Sequence, residues 1–210
     1  ENIGEDGRLD ENRVTVNARL VLALSALEYD VTNVAGHDLL RAFSDFDYVT
    51  KQGLNGVAYT LLALDSRDYE ISEAEKGAKQ TTRDALVDYL LKSQLKDGGW
   101  AYGGETAEAD MTAIVLQALA PYVAEDAKTT QEKAVAKAVD SALECLSKMQ
   151  TPTGGFTSGG SVTPESAAQV IVALTALGID PQTDARFVKN GVNALDSLCS
   201  FYVEGGGFRH

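Results

Sequence analysis

Residues 91–100 read Leu-Lys-Ser-Gln-Leu-Lys-Asp-Gly-Gly-Trp, and residues 146–156 read Leu-Ser-Lys-Met-Gln-Thr-Pro-Thr-Gly-Gly-Phe. Both segments contain the pattern Gln-x-x-x-Gly-Gly-aromatic. A third segment, residues 202–208, keeps the glycines and the aromatic ring but has Tyr202 in place of the glutamine. Self-similarity of this kind indicates a repeat architecture, in which each unit buries its apolar face by packing on its neighbours.

A polar residue followed by an alanine- and leucine-rich run recurs in the same frame. Asp110 opens the run Asp-Met-Thr-Ala-Ile-Val-Leu-Gln-Ala-Leu, and Glu165 opens a similar run 55 positions later. Asn55 opens a third such run 55 positions before Asp110. Because three units share one frame, we expect Asn55, Asp110 and Glu165 to occupy equivalent helix starts at one end of the fold.

Length and composition are typical of one soluble globular domain. The chain has 210 residues, of which 44% are hydrophobic, enough for a sizeable core. We therefore predict a single repeat domain over residues 1–210. Its repeat units are expected at about residues 14–65, 80–123, 130–178 and 184–208, the last one incomplete.

The charge argues against several kinds of partner. The formal net charge is −13, so nucleic acid and anionic membrane surfaces are not expected partners. The longest apolar stretch, residues 170–179, is too short to span a bilayer, and no direct membrane insertion is expected.

Hydrophobic periodicity predicts an all-α fold. On one face at helical spacing lie Val135, Val139 and Leu146, and a second stripe runs from Val188 to Tyr202. No alternating strand pattern is visible. The predicted helices cover residues 14–27, 36–49, 55–65, 80–96, 110–123, 130–150, 164–178 and 184–202.

The junctions between these helices also follow a pattern. The long charged helices are expected outside and the alanine-rich ones inside. Each Gly-Gly pair is predicted to close an outer helix, with Gly99 and Gly155 at positive φ or close to a neighbouring helix. Asp110 is then an N-cap or a first-turn anion, and Glu165 with the proline before it does the same one unit later.

Both cysteines, Cys145 and Cys199, fall on apolar stripes. They are predicted to be buried apolar residues rather than a disulfide or metal ligands.

These motifs resemble the repeats of squalene and oxidosqualene cyclases and of protein prenyltransferase β-subunits, which fold as α/α toroids. More narrowly, Gly155-Phe156, Pro164-Glu165-Ser166 and residues 55–59 (Asn-Gly-Val-Ala-Tyr) resemble repeat domains of secreted bacterial surface proteins. Those domains are related in fold to the vertebrate cobalamin carriers. The resemblance covers about residues 14–208 and implies a partial or open α/α toroid of about four helix pairs, at the cell surface or outside the cell.

The resemblance also directs attention to Asp110. In the cyclases an acidic motif, Asp-x-Asp-Asp-Thr-Ala, protonates the substrate, and residues 108–113 (Glu-Ala-Asp-Met-Thr-Ala) lie in its register. Asp110 takes the proton donor's position, but Met111 departs from the motif and supplies no polarising group. The prenyltransferases hold zinc through Asp, Cys and His ligands, whereas His37 and His210 lie in no comparable motif. No catalytic residue, metal or cofactor is therefore expected.

The leading functional hypothesis is a non-catalytic extracellular module that binds a small molecule, glycan or protein partner within a larger surface protein. The alternative is an enzyme, cyclase-like, prenyltransferase-like or glycan-processing, that uses carboxylates in the central cavity. Trp100 and Phe156 have a competing role as packing residues, whereas the rings of Tyr59 and Tyr102 can stack on a ligand. The candidate ligand-binding residues are Asn55, Tyr59, Trp100, Tyr102, Asp110, Phe156 and Glu165.

Overall fold

The computed structural model describes residues 3–209, and His210 lies outside them. The chain divides into two compact units, Glu1–Lys92 and Ser93–His210. This boundary falls inside the predicted repeat unit 80–123 and separates its two helices. Both units are built mainly from helices, which confirms the helical class expected from the periodicity. Within the described residues, no helix is long and apolar enough to cross a membrane.

The described part of the first unit contains four α-helices and one 3₁₀ helix. Helix α3 packs against α1, α2 and α4. Helices α1 and α3, which both fall in the predicted repeat unit 14–65, are therefore direct neighbours. The elements are α1 Val14–Ala26, a 3₁₀ helix Leu39–Ser44, α2 Phe46–Thr50, α3 Gly53–Asp65 and α4 Arg83–Lys92.

The second unit is also built mainly from helices that pack on one another. Helix α5 packs against α6 and α7, and α7 packs against α8. The alanine-rich pair here is α5 with α7, and the charged helix α6 flanks α5. The elements are α5 Ala109–Leu119, a 3₁₀ turn Ala120–Tyr122, α6 Thr130–Met149, β1 Thr157–Ser158, β2 Ser161–Val162, α7 Pro164–Ala176 and α8 Ala194–Cys199.

Local signals explain where the helices of the second unit begin. Thr129 and Glu132 form a reciprocal capping box at the start of α6, which satisfies two backbone donors of the first turn. Thr163 caps α7 by accepting from the backbone of Ser166, and Pro164 occupies the first helical position. The start of α7 predicted from Pro164 and Glu165 is thus confirmed.

The predicted helix over residues 184–202 is wrong. Asn190 and Gly191 adopt left-handed φ values of 52° and 80°, and Lys189 and Val192 exchange backbone hydrogen bonds of 2.8 and 2.9 Å across them. An Asn-Gly pair is the sequence most suited to such a tight turn. Only α8 remains helical, and the expected apolar stripe from Val188 to Tyr202 does not form.

The segment predicted as one helix over residues 36–49 is not a single helix. The predicted helix 36–49 is interrupted at Asp45, whose side chain accepts hydrogen bonds from the backbone amides of Asp47 and Tyr48 and so starts α2.

Cys199, expected to be buried, is exposed, whereas Cys145 is buried as predicted. Both cysteines are free thiols.

The Gly-Gly pairs close tight turns rather than helices, which corrects the predicted helix-capping role. Helix α4 ends at Lys92, well before Gly98. The Gly98 amide donates to the Leu95 carbonyl at 3.0 Å, and the Leu95 amide donates to Gly99 at 2.9 Å. The same two bonds recur between Thr151 and the second glycine pair and between Val203 and the third. The first glycine of each pair has φ between 80° and 112°.

The repeated glutamine holds the first two of these turns against the segment that follows. The Gln94 side-chain amide donates to the carbonyls of Gly98 and Ala138 at 2.7 and 2.8 Å. Gln150 donates in the same way to Gly154 and Phe187, both at 2.9 Å. The Gln-x-x-x-Gly-Gly pattern is therefore a packing device between consecutive segments.

Gly99 confirms the expected close approach of backbone and helix. A Cβ atom there would lie 2.6 Å from both the Ala107 Cβ and the Thr112 Oγ1. A Cβ atom at Gly155 would lie 2.4 Å from both the Ser197 Oγ and the Val162 Cγ1.

Candidate functional site

The three residues of the common frame lie in the first turns of their helices, as predicted. Asp110 is the second residue of α5 and Glu165 the second of α7, whereas Asn55 is the third of α3. The N-cap of α5 is Glu108, so Asp110 is a first-turn anion rather than the cap. Asp110 and Glu165 both line one cleft in the second unit, and Asn55 belongs to the first unit.

This cleft has two lobes that meet at Asp110, Ser158 and Gly159; together they are named the Asp110 cleft. The larger lobe has a volume of about 600 Å³, and the smaller lobe about 350 Å³. Both volumes are within the range of small-molecule sites. The larger lobe is lined by Asp110, Ser158, Gly159, Ser161, Val162, Thr163, Glu165 and Phe201. The smaller is lined by Ala107, Glu108, Ala109, Asp110, Met149, Thr157, Ser158, Gly159 and Gly160.

A two-stranded hairpin forms the wall shared by the lobes. Strands β1 and β2 pair antiparallel, with Ser158 opposite Ser161. Gly159 and Gly160 connect them with φ values of 58° and 87°, as a two-residue turn with two left-handed positions requires. This hairpin corrects the expectation that the chain has no strand. It carries exposed serine hydroxyls to the cleft.

Asp110 is the most unusual group in the cleft. Its Oδ1 atom is buried and has no hydrogen-bond partner. An unsatisfied buried polar atom costs about 1–3 kcal/mol, and more when it carries charge.

The carboxylates of the cleft differ in exposure. Glu108 and Glu165 are exposed, whereas Asp110 is half-buried. The Glu108 side chain accepts from the backbone amide of Tyr102 at 3.0 Å. Among the described residues that line either lobe, none is a lysine, arginine or histidine.

Trp100 and Phe156 do not reach the cleft. Both side chains are fully buried, which favours their packing role over ligand contact. The Trp100 backbone amide donates to the Thr112 hydroxyl at 3.0 Å, and that hydroxyl donates to the Trp100 carbonyl at 3.1 Å. These contacts fasten the glycine turn to α5.

Tyr102 and Tyr59, the two tyrosines predicted to contact a ligand, differ in their exposure to solvent. Tyr102 is 75% exposed and lies in the loop before α5, but it lines neither lobe of the cleft. Tyr59, on α3, is half-buried and has the Arg19 guanidinium 5.0 Å from its ring centroid. Its ring therefore already has an intramolecular partner.

Several cleft residues were not predicted from the sequence. Ser158, Ser161 and Phe201 are the main examples. The two serines had a usable signal, because a Gly-Gly pair flanked by short polar residues favours a two-residue hairpin. Phe201 had none, because its place in the cleft depends on the non-helical path of residues 184–193.

The described residues contain no group of three or more His, Cys, Asp or Glu side chains able to hold a metal ion. No protein-family model matches the chain, and neither a curated protein nor a solved structure is significantly similar to it.

Proposed function

We propose that this chain is a non-catalytic binding module that holds a ligand or a protein or glycan partner in the Asp110 cleft. We also propose that its repeats follow the α/α-toroid plan and that it acts outside the cell within a larger surface protein. The packing of α5 on α7, the alanine-rich helices of two consecutive predicted repeats, supports the plan of inner and outer helices. The extracellular placement rests on the resemblance of the repeats.

One observation carries the binding role. The half-buried carboxylate of Asp110 lies where the two lobes of the cleft meet, and each lobe is large enough for a small ligand. Binding sites typically combine apolar walls with a few converging polar groups. Val162 and Phe201 supply apolar surface, and Glu165 lies on the same lobe as Asp110.

The lining residues favour binding over chemistry. Met111, which stands where the cyclase motif has a second acid, is buried and lines neither lobe. General acid catalysis needs neighbours that tune the donor's pKa to the reaction. The polar residues that line the two lobes are serines, threonines and acids, and none of the described lining residues is basic.

The enzyme alternative has one observation in its favour, because Asp110 and Glu165 share the larger lobe and two carboxylates could act as acid and base. Incubation with squalene, prenyl diphosphates and aryl glycosides separates the two functions. We expect no turnover. Turnover that Asp110→Asn abolishes would establish the enzyme instead.

A thermal-shift screen tests the binding role itself. The probes are neutral oligosaccharides, basic peptides, acidic peptides and cobalamin. At least one probe class should raise the Tm of the wild-type protein and fail to raise that of Ser158→Trp, because Ser158 lines both lobes and is exposed. Glu144→Trp, an exposed position on α6, is the control and should respond like wild type. A Tm increase that persists in Ser158→Trp, or none with any probe, would contradict the proposed site.

A further inference from the structure

We propose that the third glycine turn, residues 202–208, is a docking surface for an α-helix of a partner protein. We call these residues the open turn. The partner helix contacts the turn through a backbone carbonyl and carries a small side chain, alanine, serine or cysteine, four positions later. None of residues 202–208 lines either lobe of the Asp110 cleft, so this inference does not depend on the proposed binding function.

The open turn has the same backbone as the two glycine turns before it. The Gly206 amide donates to the Val203 carbonyl at 3.0 Å, and the Val203 amide donates to the Gly207 carbonyl at 3.0 Å. Gly206 has a φ of 112°, and its counterparts Gly98 and Gly154 have φ values of 96° and 80°. The three turns therefore present the same backbone surface to whatever packs on them.

In the two earlier turns, a helix-bearing segment lies directly on the first glycine. A Cβ atom built on Gly98 would collide with the Ser141 carbonyl oxygen, in the middle of α6. A Cβ atom built on Gly154 would collide with the carbonyl oxygen of Asn193, the N-cap residue of α8. The turn is thus a seat for a backbone carbonyl, which only glycine leaves room for.

The second glycine of each earlier turn lies against a small side chain of the same covering segment. A Cβ atom on Gly99 would lie 3.2 Å from the Cys145 Sγ, and one on Gly155 would collide with the Ser197 Oγ. Each of these small residues lies four positions after the residue whose carbonyl contacts the first glycine. Four positions are about one helical turn, so both covering segments use the same pattern.

The open turn lacks such a segment. Among the described residues other than the immediate chain neighbours, no atom lies within 4 Å of a Cβ built on Gly206 or Gly207. The Phe208 ring is 52% exposed, although the equivalent rings of the earlier turns are fully buried. Tyr202 is 57% exposed and Val203 is 40% exposed. Terminal units of repeat proteins normally turn a polar face to solvent, whereas an exposed apolar patch marks an interaction surface.

Tyr202 is suited to the role that glutamine has in the earlier turns. There the glutamine amide donates to a carbonyl of the covering segment, at Ala138 and at Phe187. The Tyr202 ring packs edge-on against Phe208, with the centroids 6.0 Å apart, and its hydroxyl can donate to a carbonyl of a docked helix. A tyrosine therefore offers both apolar area and a polar end to a partner.

Charge favours a basic partner helix. Glu204 is the one charged residue in the sequence of the open turn, and the chain has a net charge of −13. Complementary charge speeds the encounter of two proteins and suppresses wrong partners. A helix that carries lysine or arginine beside its small residue is therefore preferred over an acidic one.

Isothermal titration calorimetry with two blocked peptides of residues 127–150 tests the inference, because this segment contains α6, which covers the first turn. The test peptide carries Cys145→Ser, which reproduces the serine of the second covering segment and avoids disulfide exchange with the exposed Cys199. The control peptide carries Cys145→Leu. We expect saturable binding of the test peptide, at least about tenfold tighter than that of the control, because a bulky side chain is overpacked against the glycine.

Variants of the protein locate the binding. Phe208→Ser should weaken binding of the test peptide at least about tenfold, because the docked helix no longer buries an aromatic ring. Tyr202→Ser should weaken it a few-fold. Both side chains are exposed, so both variants should keep the Tm of the wild type. Tyr29→Ser removes an exposed ring from the first unit and should bind like the wild type.

No saturable binding of the test peptide, equal affinity for the two peptides, or binding that neither Phe208→Ser nor Tyr202→Ser weakens would overturn the inference. Sedimentation velocity of the protein alone tests a second copy as the occupant. We expect a monomer, and a dimer that Phe208→Ser dissociates would overturn the inference in favour of self-association. Binding of maltotriose that Phe208→Ser abolishes would overturn it in favour of a glycan site.

Discussion

The hydroxyl of Thr112 is bonded twice to the backbone of Trp100, accepting from its amide at 3.0 Å and donating to its carbonyl at 3.1 Å. Both residues are fully buried. This contact joins the Gly-Gly-Trp turn to the first turns of α5, two residues after Asp110. The repeat motif therefore determines where the Asp110 carboxylate lies, although its own aromatic ring is inside the core.

Replacement of Thr112 by valine should destabilise the protein by about 1–3 kcal/mol, because the Trp100 amide and carbonyl lose a buried partner while the side-chain volume hardly changes. Chemical denaturation followed by circular dichroism measures the free energy of unfolding. Thr112→Ser retains the hydroxyl and should lose less. Equal stability of Thr112→Val and wild type would show that the contact contributes nothing.

Gly99→Val should destabilise by about 1–3 kcal/mol, because the new Cβ would lie 2.6 Å from the Ala107 Cβ and the Thr112 Oγ1. Gly103 is the matched control, since no atom other than those of Gly103 and its two chain neighbours lies within 4 Å of a Cβ built there. Thermal melting of Gly99→Val and Gly103→Val compares the two positions. If both variants melt alike, the close approach at Gly99 has no energetic consequence.

The two cysteines should differ in reactivity with a thiol reagent. Cys199 is exposed, whereas burial, followed by the nearby Asp97 carboxylate, raises the pKa of the Cys145 thiol. We expect one fast-reacting thiol per native chain and two in denaturant, read by Ellman's reagent. Cys199→Ser should remove the fast phase. Two fast thiols in the native protein would contradict the burial of Cys145.

Asp184 should contribute to stability at neutral pH and lose that contribution in acid. The hydrogen bonds from the Arg186 side chain lower its pKa from 3.8 to about 2. A carboxyl group with a lowered folded-state pKa stabilises above its unfolded pKa, and the effect disappears as the pH falls through the folded value. The stability difference between wild type and Asp184→Asn should therefore be constant above about pH 5 and shrink between about pH 4 and pH 2.

Urea unfolding at a series of pH values measures this difference, with Glu144→Gln as the control carboxylate. A difference that stays unchanged down to about pH 2 would contradict the lowered pKa of Asp184.

The helices with continuous apolar stripes were predictable from the sequence. Val135, Val139 and Leu146 mark the buried face of α6, and all three are buried. The region after residue 184 has a similar apparent stripe. There, the left-handed pair Asn190 and Gly191 stops the helix, because local turn chemistry outweighs periodicity when the two conflict.

A further turn of the repeat type was invisible in the sequence. Gly7 donates to Gly4 at 2.9 Å, and the Gly4 amide donates to Arg8 at 3.0 Å, as in the glycine turns of the later repeats. Here the amide that holds the turn comes from Asn17 on α1, which donates to Gly7 and Leu39 at 2.7 and 3.3 Å. No glycine pair, glutamine or aromatic ring marks this copy, so only the folded backbone reveals it.

The candidate site was predictable only in part. The 55-residue frame identified Asp110 and Glu165, and the structure brings both to one cleft. The 55-residue frame could not identify Ser158 or Phe201. Their positions depend on a hairpin and on a loop that the helical pattern does not describe. Trp100 and Phe156 were ambiguous in sequence, because a repeated aromatic ring suits a core and a ligand pocket equally well.

The most direct test of the Asp110 cleft as a binding site is a ¹H–¹⁵N NMR titration of the labelled protein with acetyl-Gly-Arg-Gly-amide and, separately, with the neutral trisaccharide maltotriose. At least one of them should perturb a contiguous set of amides around Glu108, Asp110, Ser158, Glu165 and Phe201, with saturable shifts that are absent in Ser158→Trp. Shifts confined to the outer face of α6 or to the first unit, or no saturable shifts with either probe, would contradict the site.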